Sequence, residues 1–137
     1  VPVASSQILL DASAFLAYLG DEPGAEVVGD AVATGSAIST VNLAEVLSTL
    51  TAHDVEPISF LQELSDRHLL GGAIKVEPFT AADAAETARL RPLTRTAGLS
   101  LGDRACLAVA RRLNTNVLTA DGAWSTLDIG IDVVVIR

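Results

Sequence analysis

The fold is limited most by an alternation along the chain: short, uniformly apolar runs separated by longer stretches with helical spacing. Ile8-Leu9-Leu10 precedes a helical pattern over 12–19 that Gly20 and Pro23-Gly24 stop. Residues 25–34 predict a second helix, and Ser36 to Ser39 a short strand around Ala37 and Ile38. Leu43, Val46, Leu47 and Leu50 predict a helix over 40–53, and Phe60, Leu61 and Leu64 another over 57–70, ended by Gly71-Gly72. A strand centred on Ile74-Lys75-Val76 follows, then a helix over 80–90 that stops before Pro92. Residues 100–113 form the clearest helical pattern, followed by a strand over 116–119, a short helix over 123–127 and a last strand over 133–136. Strands that are apolar throughout, rather than alternately, are buried on both faces. The expectation is an α/β domain with a mostly parallel sheet covered by helices on both sides.

The 137 residues suit one domain over 1–137, with no linker, repeat or low-complexity tract. A hydrophobic fraction of 50% and a mean hydropathy of +0.44 argue against disorder. The longest stretch without charge, Ala31 to Ala44, is too short and too polar to span a bilayer, so no membrane association is expected. Cys106 is the only cysteine, and among Ala105, Leu107 and Ala108 it reads as a small buried hydrophobe. A reducing compartment, the cytoplasm, fits. The sequence contains no Met, Val1 to Ser6 reads as a tail outside the domain, and no signal peptide is expected.

Several chemistries lack their residues. There is no glycine-rich dinucleotide turn, and a P-loop lysine could only be Lys75, inside a strand. His53 and His68 have no ligand spacing around them and read as residues at helix ends. Neither lies where a serine nucleophile would need its base. An aspartyl-nucleophile phosphatase would want an acid two residues after Asp11, where Ser13 stands.

The placement of the acids is informative. Asp11 closes the first predicted strand and Asp121 the fourth, so in a parallel sheet both lie on the carboxyl edge, where such sheets bind ligands. Glu45 and Asp103 fall in the early turns of helices leaving that edge. Four converging carboxylates would repel unless a cation compensates, and oxygen-only ligands favour magnesium or manganese. Each acid alone has an ordinary explanation. Ser100-Leu101-Gly102-Asp103 is equally a capping box, and Thr80 to Asp83, of the same form, is assigned only that role. Glu45 alone reads as a solvated helix residue and Asp121-Gly122 as a turn. Asp11 is harder to dismiss, because a charge placed among apolar neighbours needs a partner.

Four segments together resemble the motif blocks of PIN-domain ribonucleases, and most closely of VapC toxins from bacterial toxin–antitoxin pairs. They are Leu9-Leu10-Asp11-Ala12-Ser13-Ala14, Asn42-Leu43-Ala44-Glu45-Val46, Ser100 to Ala108, and Leu118 to Trp124, running in order through nearly the whole chain. The resemblance implies a three-layer domain with a parallel sheet of order 3-2-1-4-5. It implies an endoribonuclease that cleaves RNA phosphodiesters with a water activated by one or two Mg2+ or Mn2+ ions. It also implies a homodimer neutralised by a VapB-type antitoxin. Asp11, Glu45, Asp103 and Asp121 match the acidic, metal-binding set, with Glu45 a ligand or a proton-transfer group. Ser13 and Thr119 match small hydroxyl positions lining the site. Asn42 either steadies Glu45 or caps its helix, and the cap is the favoured expectation. Trp124 is expected to pack the short helix against the sheet. Gly122 departs from the family, whose members often carry a longer, basic residue there.

Net charge is −8, from 9 basic and 17 acidic residues, which speaks against gripping a phosphate backbone by bulk charge. The distribution says otherwise. Six arginines (89, 91, 95, 104, 111, 112) and one acid lie between Arg89 and Arg112. Arg89, Arg91, Arg95 and Arg104 are expected to guide RNA towards the acids, whereas Arg111 and Arg112 are read as a solvated helix face. Phe15, Leu19, Leu43, Leu47 and Leu50 are assigned to core packing in preference to a partner surface. Two other functions stand beside the nuclease: a non-catalytic PIN-like partner-binding module, and an α/β phosphohydrolase of small phosphate esters.

Overall fold

A computed structural model of the chain describes residues 7–137, and the tail expected at Val1 to Ser6 lies outside them. Five parallel strands form one sheet in the order β3-β2-β1-β4-β5. They are β1 Ile8–Leu10, β2 Ser36–Ser39, β3 Ile74–Glu77, β4 Asn116–Thr119 and β5 Val133–Val135. The helices among the described residues are α1 Ala12–Leu19, α2 Ala25–Thr34, α3 Thr40–Thr51, α4 Pro57–Asp66, α5 Ala81–Thr94 and α6 Leu101–Leu113. The sheet order is the one the resemblance implies. None of these helices is long and apolar enough to cross a membrane.

Strand periodicity divides the core into two layers. Leu10, Ile38 and Leu118 point into the layer built by α1 to α4, with Phe15, Val28 and Val46. Their neighbours Leu9, Ala37 and Val117 point into the opposite layer, with Leu90, Leu107, Val109 and Trp124. Parallel register aligns Leu9 with both Ala37 and Val117, so each layer begins as a row of side chains across the sheet. Phe15 and Leu43 are buried, and Leu19, Leu47 and Leu50 pack against the first layer as expected. Cys106 is fully buried, and burial pushes its thiol well up, away from nucleophilic use. Trp124 is 1% exposed and packs a 3-10 turn, Gly122–Thr126, onto the sheet.

Two helix ends differ from expectation by four residues. The helix beginning at Pro57 stops at Asp66, four residues before Leu70. Leu64 and Leu70 are both buried, and the chain turns through His68, at φ +57, to bring the second of them inward. The helix expected to stop before Pro92 runs on to Thr94, with Pro92 inside it. Proline removes one backbone donor in the last turn. Leu90 and Thr94 are buried around it, and Thr94 Oγ1 donates to the Leu90 carbonyl at 2.9 Å. Packing outweighs the local penalty here. His53 and His68 follow the ends of α3 and α4, as expected.

Candidate active site

The strand order reverses direction between β1 and β4, which makes their carboxyl ends the switch point of the sheet. Asp11 follows β1 there and extends the ladder, its N–H donating to the Leu118 carbonyl at 3.1 Å. It also caps α1: Oδ1 accepts from Ala14 N at 2.8 Å and from Ser13 Oγ at 2.8 Å. Oδ2 accepts from Thr119 Oγ1 at 2.6 Å. Ser13 is tied to β4 as well, since Ala120 N donates to its Oγ at 2.9 Å. The two hydroxyls are therefore tethers that orient Asp11. With Ser13 in this role, the place of a second phosphatase acid is filled by a hydrogen-bond donor.

Asp11 is 4% exposed, and no basic residue pairs with it among the described residues. Its donors are neutral. Burial raises its pKa to about 6, only partly offset by the bonds from Thr119, Ala14 and Ser13, and the nearby charge of Asp103 raises it further. Glu45 is also raised, by burial and then by Asp103, against the bond from Asn42. Asp103 thus acts electrostatically on both.

Asn42 is where the favoured expectation fails. Ser39, not Asn42, caps α3, accepting from Val41 N. Asn42 sits inside the helix, 1% exposed, and its Nδ2 donates to Glu45 Oε1 at 2.8 Å and to the Gly102 carbonyl at 3.1 Å. Its amide ties α3 to the first turn of α6, while its Oδ1 finds no partner among the described residues. Gly102 was not singled out as a functional position, yet a Cβ there would lie 2.5 Å from Glu45 Cδ. The signal was available: a glycine inside the first turn of an otherwise strong helix.

The choice between cap and ligand for Asp103 turns out not to be exclusive. Both halves of the capping box form, with Ser100 N donating to Asp103 Oδ2 at 2.9 Å and Asp103 N to Ser100 Oγ at 3.2 Å. Asp103 Oδ1 carries no hydrogen bond among the described residues. Asp121 repeats the pattern: Oδ1 caps the 3-10 turn at Ala123 N, 2.9 Å away, and Oδ2 is left over. Its own N–H donates to Thr119 Oγ1 at 3.1 Å, one hydroxyl away from Asp11. Glu45 likewise uses Oε1 for Asn42. Three acids therefore spend one oxygen on positioning and keep one. Even so, no three acidic, histidine or cysteine side chains among the described residues stand close enough to enclose an ion as they are. Asp121 is exposed and the most peripheral of the set. Gly122 leaves open space beside it, since a Cβ there would meet nothing.

The arginines divide. Arg112, expected to be solvated, binds the buried Asp83 (2.8 Å) and the Pro78 carbonyl (3.1 Å). Burial pulls Asp83 upward, but this guanidinium and the capping-box bonds hold it below its ordinary value. Arg111 pairs with Glu86 at 2.5 Å and donates to the Ile129 carbonyl, and Arg89 pairs with the same Glu86 at 3.0 Å. Arg91, Arg95 and Arg104 have no carboxylate partner among the described residues, and together they line one concavity.

An open five-stranded parallel sheet of order β3-β2-β1-β4-β5, flanked by six helices among the described residues, defines the class of α/β domain. The chain belongs to the PIN domain family, whose sequence model matches residues 8–130. No curated protein sequence matches it significantly. Among solved structures it is similar to a toxin–antitoxin complex from Klebsiella pneumoniae, with 18% identity, 96% of this chain and 98% of that one covered, and a TM-score of 0.71. Mycobacterium tuberculosis VapC20, described as a Sarcin-Ricin loop cleaving toxin, shares 17% identity over 92% and 99% of the two chains, with a TM-score of 0.69. FitAcB from Neisseria gonorrhoeae shares 23% over 93% and 96%, with a TM-score of 0.67.

The metal-free site carries a pH signature of defined sign. Asp11 has a folded pKa of about 6 against 3.8 unfolded, so the folded state binds the extra proton between these values. Its contribution is fully present below the lower value and lost as pH rises through the upper one, by about 3 kcal/mol at most. With chelator present, denaturant titrations at pH 4.5 and 7.5 should show Asp11→Asn gaining stability relative to the parent at the higher pH. Equal differences at both pH values would contradict a buried charged Asp11.

Proposed function

We propose that this PIN domain protein is a divalent-metal-dependent endoribonuclease, a VapC-type toxin held in check by a VapB-type antitoxin, acting as a homodimer in the cytoplasm. The observation that carries the reading is Asp11: a carboxylate buried at the switch point, held by three neutral donors, with Asp103 raising its pKa further. A cation would relieve that arrangement. The donor set, carboxylate oxygens with hydroxyls and an amide carbonyl nearby, suits a hard ion such as Mg2+ or Mn2+. Support for the biology comes from the similar chains, one from a toxin–antitoxin complex and one described as cleaving the Sarcin-Ricin loop.

Asp11, Glu45, Asp103 and Asp121 would hold one or two ions, with Glu45 as ligand or proton carrier. When bound, the ions supply charge neutralisation at the phosphate and a water of lowered pKa. The chain's own contribution is orientation. Thr119 and Ser13 fix both oxygens of Asp11, Asn42 fixes Glu45, and Ser100 fixes Asp103. Residues 7–137 act as one unit in this reading, with Arg91, Arg95 and Arg104 on the RNA side and Arg89 tied instead to Glu86.

The test is incubation of the purified protein with structured RNA and with a small phosphomonoester, in Mg2+, Mn2+ or chelator. RNA fragments are expected only with metal, the monoester should stay intact, and Mn2+ should raise the melting temperature. Fragments in chelator would overturn the metal requirement. The second reading is a partner-binding module without catalysis, against which the complete set Asp11, Glu45, Asp103 and Asp121 argues. No fragments and no metal-induced stabilisation would decide for it.

Gly102→Ala separates orientation from folding. Alanine in the first turn of α6 should stabilise the helix by up to about 1 kcal/mol. Its Cβ would displace the Glu45 carboxylate, the flexible end of its side chain. Cleavage should fall about tenfold to a hundredfold while the melting temperature holds or rises. Full activity with a stable fold would remove Glu45 from the mechanism.

A further inference from the structure

The run of α5 through Pro92 has a consequence on the protein surface. Arg91 lies in the last turn, and Arg95 caps the helix in αR geometry, at φ −60 and ψ −44. The two are four residues apart, with Thr94 between them leaving the α-helical conformation at φ −114 and ψ 5, and Arg95 opening a 3-10 turn over Arg95–Ala97. Arg104 joins them from α6, held by a bond from its NH1 to the Thr87 carbonyl at 3.1 Å. Arg91, Arg95 and Arg104, with Thr94 and Leu99, line a concavity of about 510 Å³.

Three cations facing one hollow repel one another, and no acid among the described residues answers them. The contrast with the neighbouring arginines is internal to the molecule. Arg89 and Arg111 share Glu86, and Arg112 is matched to Asp83, so every other arginine of this segment has its carboxylate. The position of the hollow matters as well. Arg104 directly follows Asp103 in the first turns of α6, so the cationic hollow borders the acidic edge. Guanidinium forks match phosphate oxygens in shape and charge.

We propose that Arg91, Arg95 and Arg104 form a phosphate-binding subsite that anchors the backbone of the RNA strand next to the scissile position. This deepens the nuclease reading and rests on it for the identity of the strand. Arg89 lies outside the subsite, its charge already answered by Glu86. The hollow supplies the local cationic ground that a protein of net charge −8 otherwise lacks.

Binding of a fluorescein-labelled single-stranded RNA dodecamer is measured by anisotropy in chelator, across a salt series. The parent should bind with a log–log salt slope that falls by about 2 in R91Q/R95Q/R104Q, from about 0.7 per lost phosphate contact on single strands. Affinity near 100 mM salt should drop about tenfold or more. R91Q/R95Q breaks no hydrogen bond of the fold and should lose about two-thirds of that slope change. R89Q removes the same charge per residue outside the hollow and should change affinity less than about twofold.

Equal losses per charge in R89Q and the subsite variants would show diffuse attraction and overturn the proposal. So would a parent that binds no RNA in chelator. RNA binding unchanged in the triple variant, with lost binding of an acidic peptide, would assign the hollow to a protein partner instead. The nuclease reading fails separately: arginine-dependent RNA binding without metal-dependent cleavage keeps the subsite and discards the catalysis. Cleavage with no arginine dependence does the reverse.

Discussion

Asp11→Asn should abolish metal-dependent RNA cleavage while leaving the protein folded. The expected loss is at least about 10³-fold, equivalent to roughly 4 kcal/mol of transition-state stabilisation. The geometry explains why the fold survives. Asparagine keeps an oxygen for Ala14 N and Ser13 Oγ, the two donors at Asp11 Oδ1. Its amide nitrogen then faces Thr119 Oγ1, which can turn from donor to acceptor. Replacing a buried charge by a neutral group also removes a desolvation cost, so the metal-free variant should be the more stable one at neutral pH. The parent should gain stability on adding Mn2+, and the variant should not. Two measurements check this: gel-resolved cleavage of structured RNA, and melting temperature with and without metal. A folded Asp11→Asn protein that cleaves at the parent rate would refute the central place given to this residue. One that loses activity but still gains stability from Mn2+ would move the ion elsewhere.

Trp124→Ala should cost about 3–5 kcal/mol of folding stability, a large share of the roughly 5–15 kcal/mol that domains have. The side chain is among the largest fully buried ones and stands in the second core layer with Leu9, Val117 and Leu107. Leu127, Ile129, Ile131 and Val133 pack against the same layer, so the last segment of the chain depends on it. Melting should fall by about 10–20 °C. Trp124→Phe should cost far less, about 1–2 kcal/mol, because the indole N–H has no hydrogen-bond partner to lose. Cleavage should suffer in the alanine variant as well, since the turn that Trp124 anchors is the one Asp121 caps. Thermal and denaturant unfolding of the two variants check the pair. An alanine variant as stable as the parent would mean that the turn carries no structural weight.

Much of this was legible from residues alone, and the failures have causes. The limits of α1, α2, β2 and β4 coincide with the sequence expectation, because glycine, proline and caps mark them and burial agrees. The α4 and α5 ends do not, because Leu70 and Thr94 are placed by distant packing that no local pattern records. Asn42 stands at cap spacing from Glu45, so a cap was the natural reading. Ser39 takes that place because β2 runs directly into α3, leaving Asn42 buried inside the helix. Arg112 looked solvated because its partner, Asp83, lies 29 residues away in sequence.

By itself the sequence determined the class of fold, the order of elements and the sheet edge that Asp11 and Asp121 occupy. Short apolar runs must be buried on both faces, and a residue that closes a parallel strand has only one edge to occupy. It did not determine what each acid does there. Only the tertiary structure showed that Asp103, Asp121 and Glu45 each keep one oxygen aside after positioning themselves. It alone showed that the arginine segment splits into paired cations and an unanswered trio. The physical reason is the same in both cases. Burial and periodicity are properties of neighbours along the chain, whereas hydrogen bonds and ion pairs depend on directions in space that only packing of α3, α5 and α6 against the sheet decides.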